Sequence, residues 1–250
     1  NCDIALAVGA EKQPRGMIPL TNWPKWMRTL GLANAPGFYA QEAQVHFRKH
    51  GGATPEHFAK VAVKAHKNAS FFPLAHYQNL ITVEEVLNSR MIADPITLYM
   101  CAPVDDGATA IVICAKDALH KLTNFGKPIV TVASVVVNTA NYHRYTIQEP
   151  PNMVELTAKE AYEKAGMGPE DMDVVECQDA IASAEIMSCE YLGLCKEGEG
   201  GRLLDEGRTE ITGDIPVNTD GGYQARGNAT GATGLAGIAE IVRQLRGEAG

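Results

Sequence analysis

No apolar run in the 250 residues approaches the ~20 needed to cross a bilayer. The longest, Ile129–Val137, is interrupted by threonine and serine and reads as a buried strand. No secretory leader is visible. Basic charge is scarce: 22 Lys and Arg stand against 30 Asp and Glu, a formal net charge of -8, which argues against a dedicated nucleic-acid surface. The six cysteines (Cys2, Cys101, Cys114, Cys177, Cys189 and Cys195) include no C-x-x-C spacing. Neither a zinc site nor a disulfide framework is expected, and reduced thiols in a cytoplasm-like compartment are. There is no repeat of 20 to 50 residues. Histidine is missing beyond position 143: all seven lie at or before His143.

What is present is an alternation of apolar segments with helical patterns, which predicts an α/β layered fold. The chain opens inside an apolar strand, residues 1–12, an unusual terminus that reads as a piece of something longer. Residues 13–37 are rich in Pro, Gly, Trp and Asn and read as an irregular loop. Amphipathic helices follow over Phe38–Lys49 and from Thr54, with Thr54 as N-cap and Pro55 at the first position, to about Asn68. Thr82 and Glu85 make a capping box. Strands are predicted at 97–101, 108–114, 129–138, 173–177 and 215–218. Helices are predicted over 115–122, from the end of an irregular 141–151 stretch to Gly166, over 181–192, and after the glycine-rich loop. In the last helix Leu235, Ile238, Ile241, Val242 and Leu245 share one face.

The most informative stretch is Val217–Gly234: a short strand, a glycine-rich loop and a helix start. Glycine permits close approach of a ligand or of backbone, and a helix N-terminus favours negative charge. Such a loop suits a developing oxyanion; its plainer reading is a strand-to-helix turn.

Within it Val217-Asn218, Gly221-Gly222, Gly227 and Gly231-Ala232-Thr233-Gly234 resemble the C-terminal signature of thiolases, of the sterol-carrier-protein X and lipid-transfer type. That signature has His-Pro where this chain has Asn228-Ala229. Asp3–Lys12, Asp106–Ala110, Leu192–Gly201 and Gln244–Gly250 agree with other family segments in the right order. The resemblance implies a thiolase fold: five layers, αβαβα, from two similar halves with a covering loop domain. Residues 1–12 and 96–122 would belong to the N-terminal half, 13–95 to the covering region and 123–250 to the C-terminal half.

It also implies carbon–carbon chemistry beside a CoA thioester, with coenzyme A or acyl-CoA as substrate and no covalently bound cofactor. The family's nucleophilic cysteine would lie upstream of Asp3, Cys2 being too close to that strand, and its last motif downstream of Gly250. Its His-Asp-x-Phe motif falls on Gln178-Asp179-Ala180-Ile181 and its Gly-His-Pro loop on Gly227-Asn228-Ala229. Both imidazoles are thus replaced by carboxamides, which donate to an oxyanion but do not shuttle protons near neutral pH. Gln178 and Asn228 are the expected oxyanion donors. Asp179 reads as an acid–base group or as N-cap of the helix from Ile181. Gly227, Gly231, Ala232, Thr233, Gly234 and Tyr223 are expected to line the acyl-CoA site, Tyr223 either shaping an acyl pocket or merely packing. His66 and His76 fall in the covering region, as CoA contacts or as surface residues. His46 and His50 read as a solvated helix face, and Lys60, Lys64 and Lys67 as a solvated stripe or a CoA-phosphate contact. The partners implied are a homodimer mate and a small zinc-ribbon, OB-fold subunit. Two other functions stay open: a catalytically inactive acyl-CoA-binding or scaffold subunit, and a retro-aldol lyase, whose relatives carry tyrosine at the two motif positions.

Overall fold

The structure is a computed structural model that describes residues 2–14, 25–30, 34–122, 126–139 and 152–249. Strand β1 (Ile4–Glu11) is followed by helices α1 (Lys25–Thr29), α2 (Ala35–His50), α3 (Pro55–Ala69) and α4 (Val83–Asn88). A small hairpin, β2 (Met91–Ala93) and β3 (Ile96–Thr97), leads to β4 (Gly107–Cys114). Then come α5 (Met153–Ala165), α6 (Ala182–Tyr191), α7 (Gly200–Asp205), α8 (Gly222–Ala225) and α9 (Thr230–Leu245).

The helix signals act as their chemistry requires. Asn34 caps α2 by accepting from Gly37 N, so that helix starts before the predicted Phe38. Pro55 opens α3, and the Thr54 N–H donates to His57 Nδ1 at 3.0 Å. Thr82 and Glu85 cap each other at 3.2 and 2.7 Å. Gly166 closes α5 in the left-handed conformation.

The strand expectations need correction. β1 and β4 pair antiparallel from Ile4↔Cys114 to Glu11↔Gly107, a two-stranded sheet among the described residues. The predicted strand 129–138 forms no ladder among them, and those of 173–177 and 215–218 reduce to one bridge, Val175↔Val217. The strand expected over 97–101 gives way after Thr97 to a 3-10 turn, and the helix expected at 115–122 is 3-10 over Lys116–Lys121. Apolar sequence alone gives no ladder; a strand also needs a paired edge. The loop expected over 13–37 is broken by helix α1 and by the start of α2; its residues 15–24 and 31–33, with 141–151 and 123–125 of the expected boundary, lie outside the described residues.

The largest core cluster joins α2, α3, α4, β3 and α6 through Phe58, Val61, Val86, Ile96, Met100 and Ile186. A smaller one gathers Val175, Cys189, Leu203, Ile215 and Val217 beneath the glycine-rich loop. Helix α9 packs on the β1–β4 sheet, but not through the predicted apolar face. Ala232, Thr233, Gly237 and Glu240 are buried, whereas Ile238 and Leu245 are half exposed. The small side chains win because the backbones meet closely: a Cβ on Gly9 would lie 2.3 Å from Gly231 O.

The lysine stripe is solvated only in part: Lys64 is buried, while Lys60 and Lys67 stay partly exposed but paired. Lys60 pairs with Asp205 (2.9 Å), Lys64 with Glu185 (2.6 Å) and Lys67 with Glu210 (2.8 Å), fastening α3 onto the C-terminal part. His46 is buried with Nε2 3.3 Å from Glu190, and His50 meets Glu197 at 2.9 Å, so this face too is docked rather than solvated.

Candidate active site around the glycine-rich loop

The loop is entered through Asn218, which holds a left-handed φ of 56° in the core. Its Oδ1 accepts from Cys177 N (3.0 Å), its Nδ2 donates to Glu185 (2.8 Å) and its carbonyl accepts from Asn68 Nδ2 (3.0 Å). Asparagine tolerates that backbone and ties three segments to the start of the loop. Gly221 and Gly222 continue with φ of 99° and 57°; a Cβ on Gly222 would sit 2.2 Å from Asp179 Oδ2.

Asp179 is fully buried, and it does not cap α6, whose N-cap is Ile181. Its Oδ1 instead accepts from Tyr223 N at 2.6 Å, bracing the short helix α8. Burial first, then the Glu185 charge, push its pKa up to about 8, against the opposing Tyr223 and Gln224 N–H groups and Arg226. The folded chain therefore keeps a proton on Asp179 between about pH 4 and 8 that the unfolded chain has released. Stability is lost as pH rises through that window, by up to ~1.4 kcal/mol per pH unit. Glu42, raised to about 7 by burial, has the same sign. Asp179→Asn is expected to flatten the decline: Tm measured from pH 5 to 8 falls less in the variant than in the parent.

Gln178 is half-buried, and its Nε2 donates to the Tyr39 hydroxyl at 3.0 Å. Tyr39 comes from α2, and its pKa is raised to about 12 by burial and then by Glu42. As an acceptor from Gln178, this phenol keeps its own hydrogen to donate. Asn228 is also half-buried. Its Oδ1 accepts from Thr233 Oγ1 (3.2 Å), its carbonyl from Gln13 Nε2 (3.0 Å), and its N–H donates to Asp105 Oδ2 (3.0 Å). Thr233 Oγ1 has its shorter bond to Ala229 O (2.7 Å), and with the amide assigned in this orientation Nδ2 has no hydrogen-bond partner among the described residues.

A cleft of about 530 Å³ opens beside the loop. Gly227, Ala232 and Thr233 line it together with His76, Asp105 and Arg243. Gln178, Asp179 and Tyr223 lie off its lining, as does Asn228 between the lining residues Gly227 and Ala229. Gly231 faces β1 instead: its N–H donates to Glu11 at 3.1 Å, so this amide of the helix start is already occupied. Gly234 has open space around it. Tyr223 packs beneath Arg226, 5.8 Å from the guanidinium. His66 is buried, stacked on Tyr77 with Nδ1 2.9 Å from Asn79 O, and is therefore not a surface residue. No metal-binding group of His, Cys, Asp or Glu occurs among the described residues, and no helix among them is long and apolar enough to cross a membrane.

Tyr39 and Asp105 were not singled out from the sequence. They approach Gln178 and Asn228 across 139 and 123 residues, a proximity no local pattern encodes.

The glycine loop between a sheet and the helix that covers it belongs to a thiolase-fold α/β protein. The Thiolase C-terminal domain-like family matches residues 138–250. The acetyl-CoA acetyltransferase of Methanothermobacter thermautotrophicus is 39% identical over 253 residues, covering 99% of this chain and 65% of that protein. Sterol carrier protein 2 of Oryctolagus cuniculus is 36% identical over 265 residues, covering 99% of this chain and 48% of that protein. The solved Ltp2-ChsH2(DUF35) aldolase superposes with a TM-score of 0.86 at 27% identity, covering 99% of this chain and 65% of that one. The chain thus spans 65% and 48% of the length of these two curated relatives. It belongs to the thiolase superfamily, in the branch of sterol carrier protein 2.

Proposed function

We propose that the chain carries the C-terminal half and covering region of an enzyme that makes or breaks a carbon–carbon bond beside a CoA thioester. The substrate is a non-standard acyl-CoA, bound as substrate rather than as a fixed cofactor. The observation that carries this reading is the pair of oriented carboxamides in family motif positions. Asn228 has Oδ1 3.2 Å from Thr233 Oγ1 and Nδ2 without a partner among the described residues, and Gln178 donates to the Tyr39 phenol. In this reading each offers a hydrogen bond to an oxygen that gains negative charge. Asp179, protonated at neutral pH, braces α8 rather than moving protons.

A second reading, retro-aldol cleavage of a β-hydroxyacyl-CoA, is favoured by the aldolase likeness and by Tyr39, which brings a phenol to one of the two motif positions from another helix. The two components named in the Ltp2-ChsH2(DUF35) aldolase support a partner subunit for this protein as well. The described cysteines are all unpaired, which fits a reducing, cytoplasmic setting. The test is to incubate the full-length protein with CoA and a panel of 3-oxoacyl-CoA and β-hydroxyacyl-CoA esters. Cleavage of either class is expected. Acyl-CoA binding without cleavage of any ester would favour the inactive-subunit reading instead.

A further inference from the structure

The carboxamides at positions 178 and 228 take up no proton near neutral pH, and the fold brings an imidazole to the loop from the segment before α4. His76 N donates to Arg226 O (2.9 Å) and Tyr77 N to Ala225 O (3.0 Å), so this segment is laced to the loop backbone. Asp105, just before β4, joins the two. Its Oδ1 meets His76 Nδ1 at 2.6 Å and its Oδ2 accepts from Asn228 N at 3.0 Å. The imidazole lies edge-on to Tyr77, ring centroids 4.4 Å apart. The His76 side chain stays 45% exposed and lines the cleft, and its Nε2 has no partner among the described residues. Gly227 keeps the gap open: a Cβ there would lie 2.5 Å from Asp105 Oδ2 and 3.7 Å from His76 Cβ. A carboxylate bound at Nδ1 fixes the tautomer with a basic Nε2 and stabilises the imidazolium formed when that nitrogen takes a proton.

From this arrangement we infer that His76, positioned by Asp105, is an acid–base group of the site, acting on the carbon next to the thioester carbonyl of a CoA ester. The inference rests on the acyl-CoA reading above. His76 Nε2 takes the proton from that carbon as the C–H bond breaks. Its electron pair forms the carbon–carbon double bond of the enolate while the carbonyl π pair moves onto oxygen, which Asn228 Nδ2 receives. The imidazolium is balanced by Asp105 and returns the same proton when the step reverses, so no co-reactant is needed.

The half-reaction is directly measurable as deuterium uptake into the methyl group of acetyl-CoA in D2O, read by mass spectrometry on the full-length protein, with acetyl-CoA affinity measured by calorimetry. The parent protein is expected to catalyse uptake. His76→Gln is expected to slow it at least about 100-fold with Kd changed less than about threefold. Added imidazole is expected to restore part of the rate to His76→Ala, which a merely structural role would not allow. If neither His76 variant folds, Asp105→Asn carries the test: it can still accept from Asn228 N, and slower uptake at unchanged Kd is expected. The inference is overturned if a folded variant that binds acetyl-CoA normally exchanges as fast as the parent, or if the parent binds acetyl-CoA without exchange. A parent that binds no CoA ester instead removes the acyl-CoA reading itself, and this inference with it.

Discussion

Lys64→Met is expected to destabilise the protein by about 3–5 kcal/mol, the usual consequence of stripping one partner from a buried ion pair. Both partners are sealed from solvent, with side-chain exposures of 1% for Lys64 and 2% for Glu185. Burial opposes the lysine charge, but the Glu185 carboxylate outweighs it and holds the pKa above the ordinary lysine value. The ammonium also donates to Thr209, and Glu185 accepts from Asn218, so one substitution disturbs α3, α6 and the entrance to the glycine loop together. Methionine fills similar volume, so the loss reports the orphaned carboxylate rather than a cavity. The double variant Lys64→Met/Glu185→Leu is expected to recover much of it. Urea unfolding checks both; a single-variant loss below about 1 kcal/mol would contradict the assignment of this pair as the lock between α3 and α6.

Asn228→Ala is expected to lower kcat by about 10²–10³-fold, the range for removing one oxyanion donor. Substrate KM and Tm should move little, because the amide is half-buried and among the described residues its side chain has one contact, 3.2 Å from Thr233, whose hydroxyl keeps its 2.7 Å bond to Ala229 O. Gln178→Ala is expected to act through Tyr39 as well, since it removes the bond that orients the phenol. The two effects should be less than additive if both groups serve one oxygen. Unchanged turnover in the double variant would instead favour a subunit whose carboxamides are not part of any chemistry.

Local signals carried the helical part of this fold. Thr54-Pro55, the Thr82–Glu85 box and Gly166 act through neighbours a few residues away, so their roles could be read from the chain. The thiolase resemblance of Val217–Gly234 was legible for the same reason: the motif is contiguous. What failed depended on partners distant in sequence. Residues 129–138 are strand-like in composition yet have no ladder among the described residues. Lys64 and His46 look like solvated helix residues until Glu185 and Glu190 of α6 are packed against them. Asp179 looked like a cap for the helix beside it and instead holds the Tyr223 N–H across 44 residues. The His76–Asp105 pair arises only when the segment around His76 and Tyr77 folds back onto the loop.

The central claim, that the loop offers Asn228 Nδ2 to a thioester oxygen, is tested most directly by the carbonyl itself. The infrared stretch of a carbon-13-labelled acyl-CoA thioester should be recorded bound to the full-length protein and to its Asn228→Ala variant. The expected result is a carbonyl stretch shifted to lower frequency on binding to the parent and returned toward its solution value in the variant. A bound ester whose carbonyl frequency is the same in both proteins would contradict it.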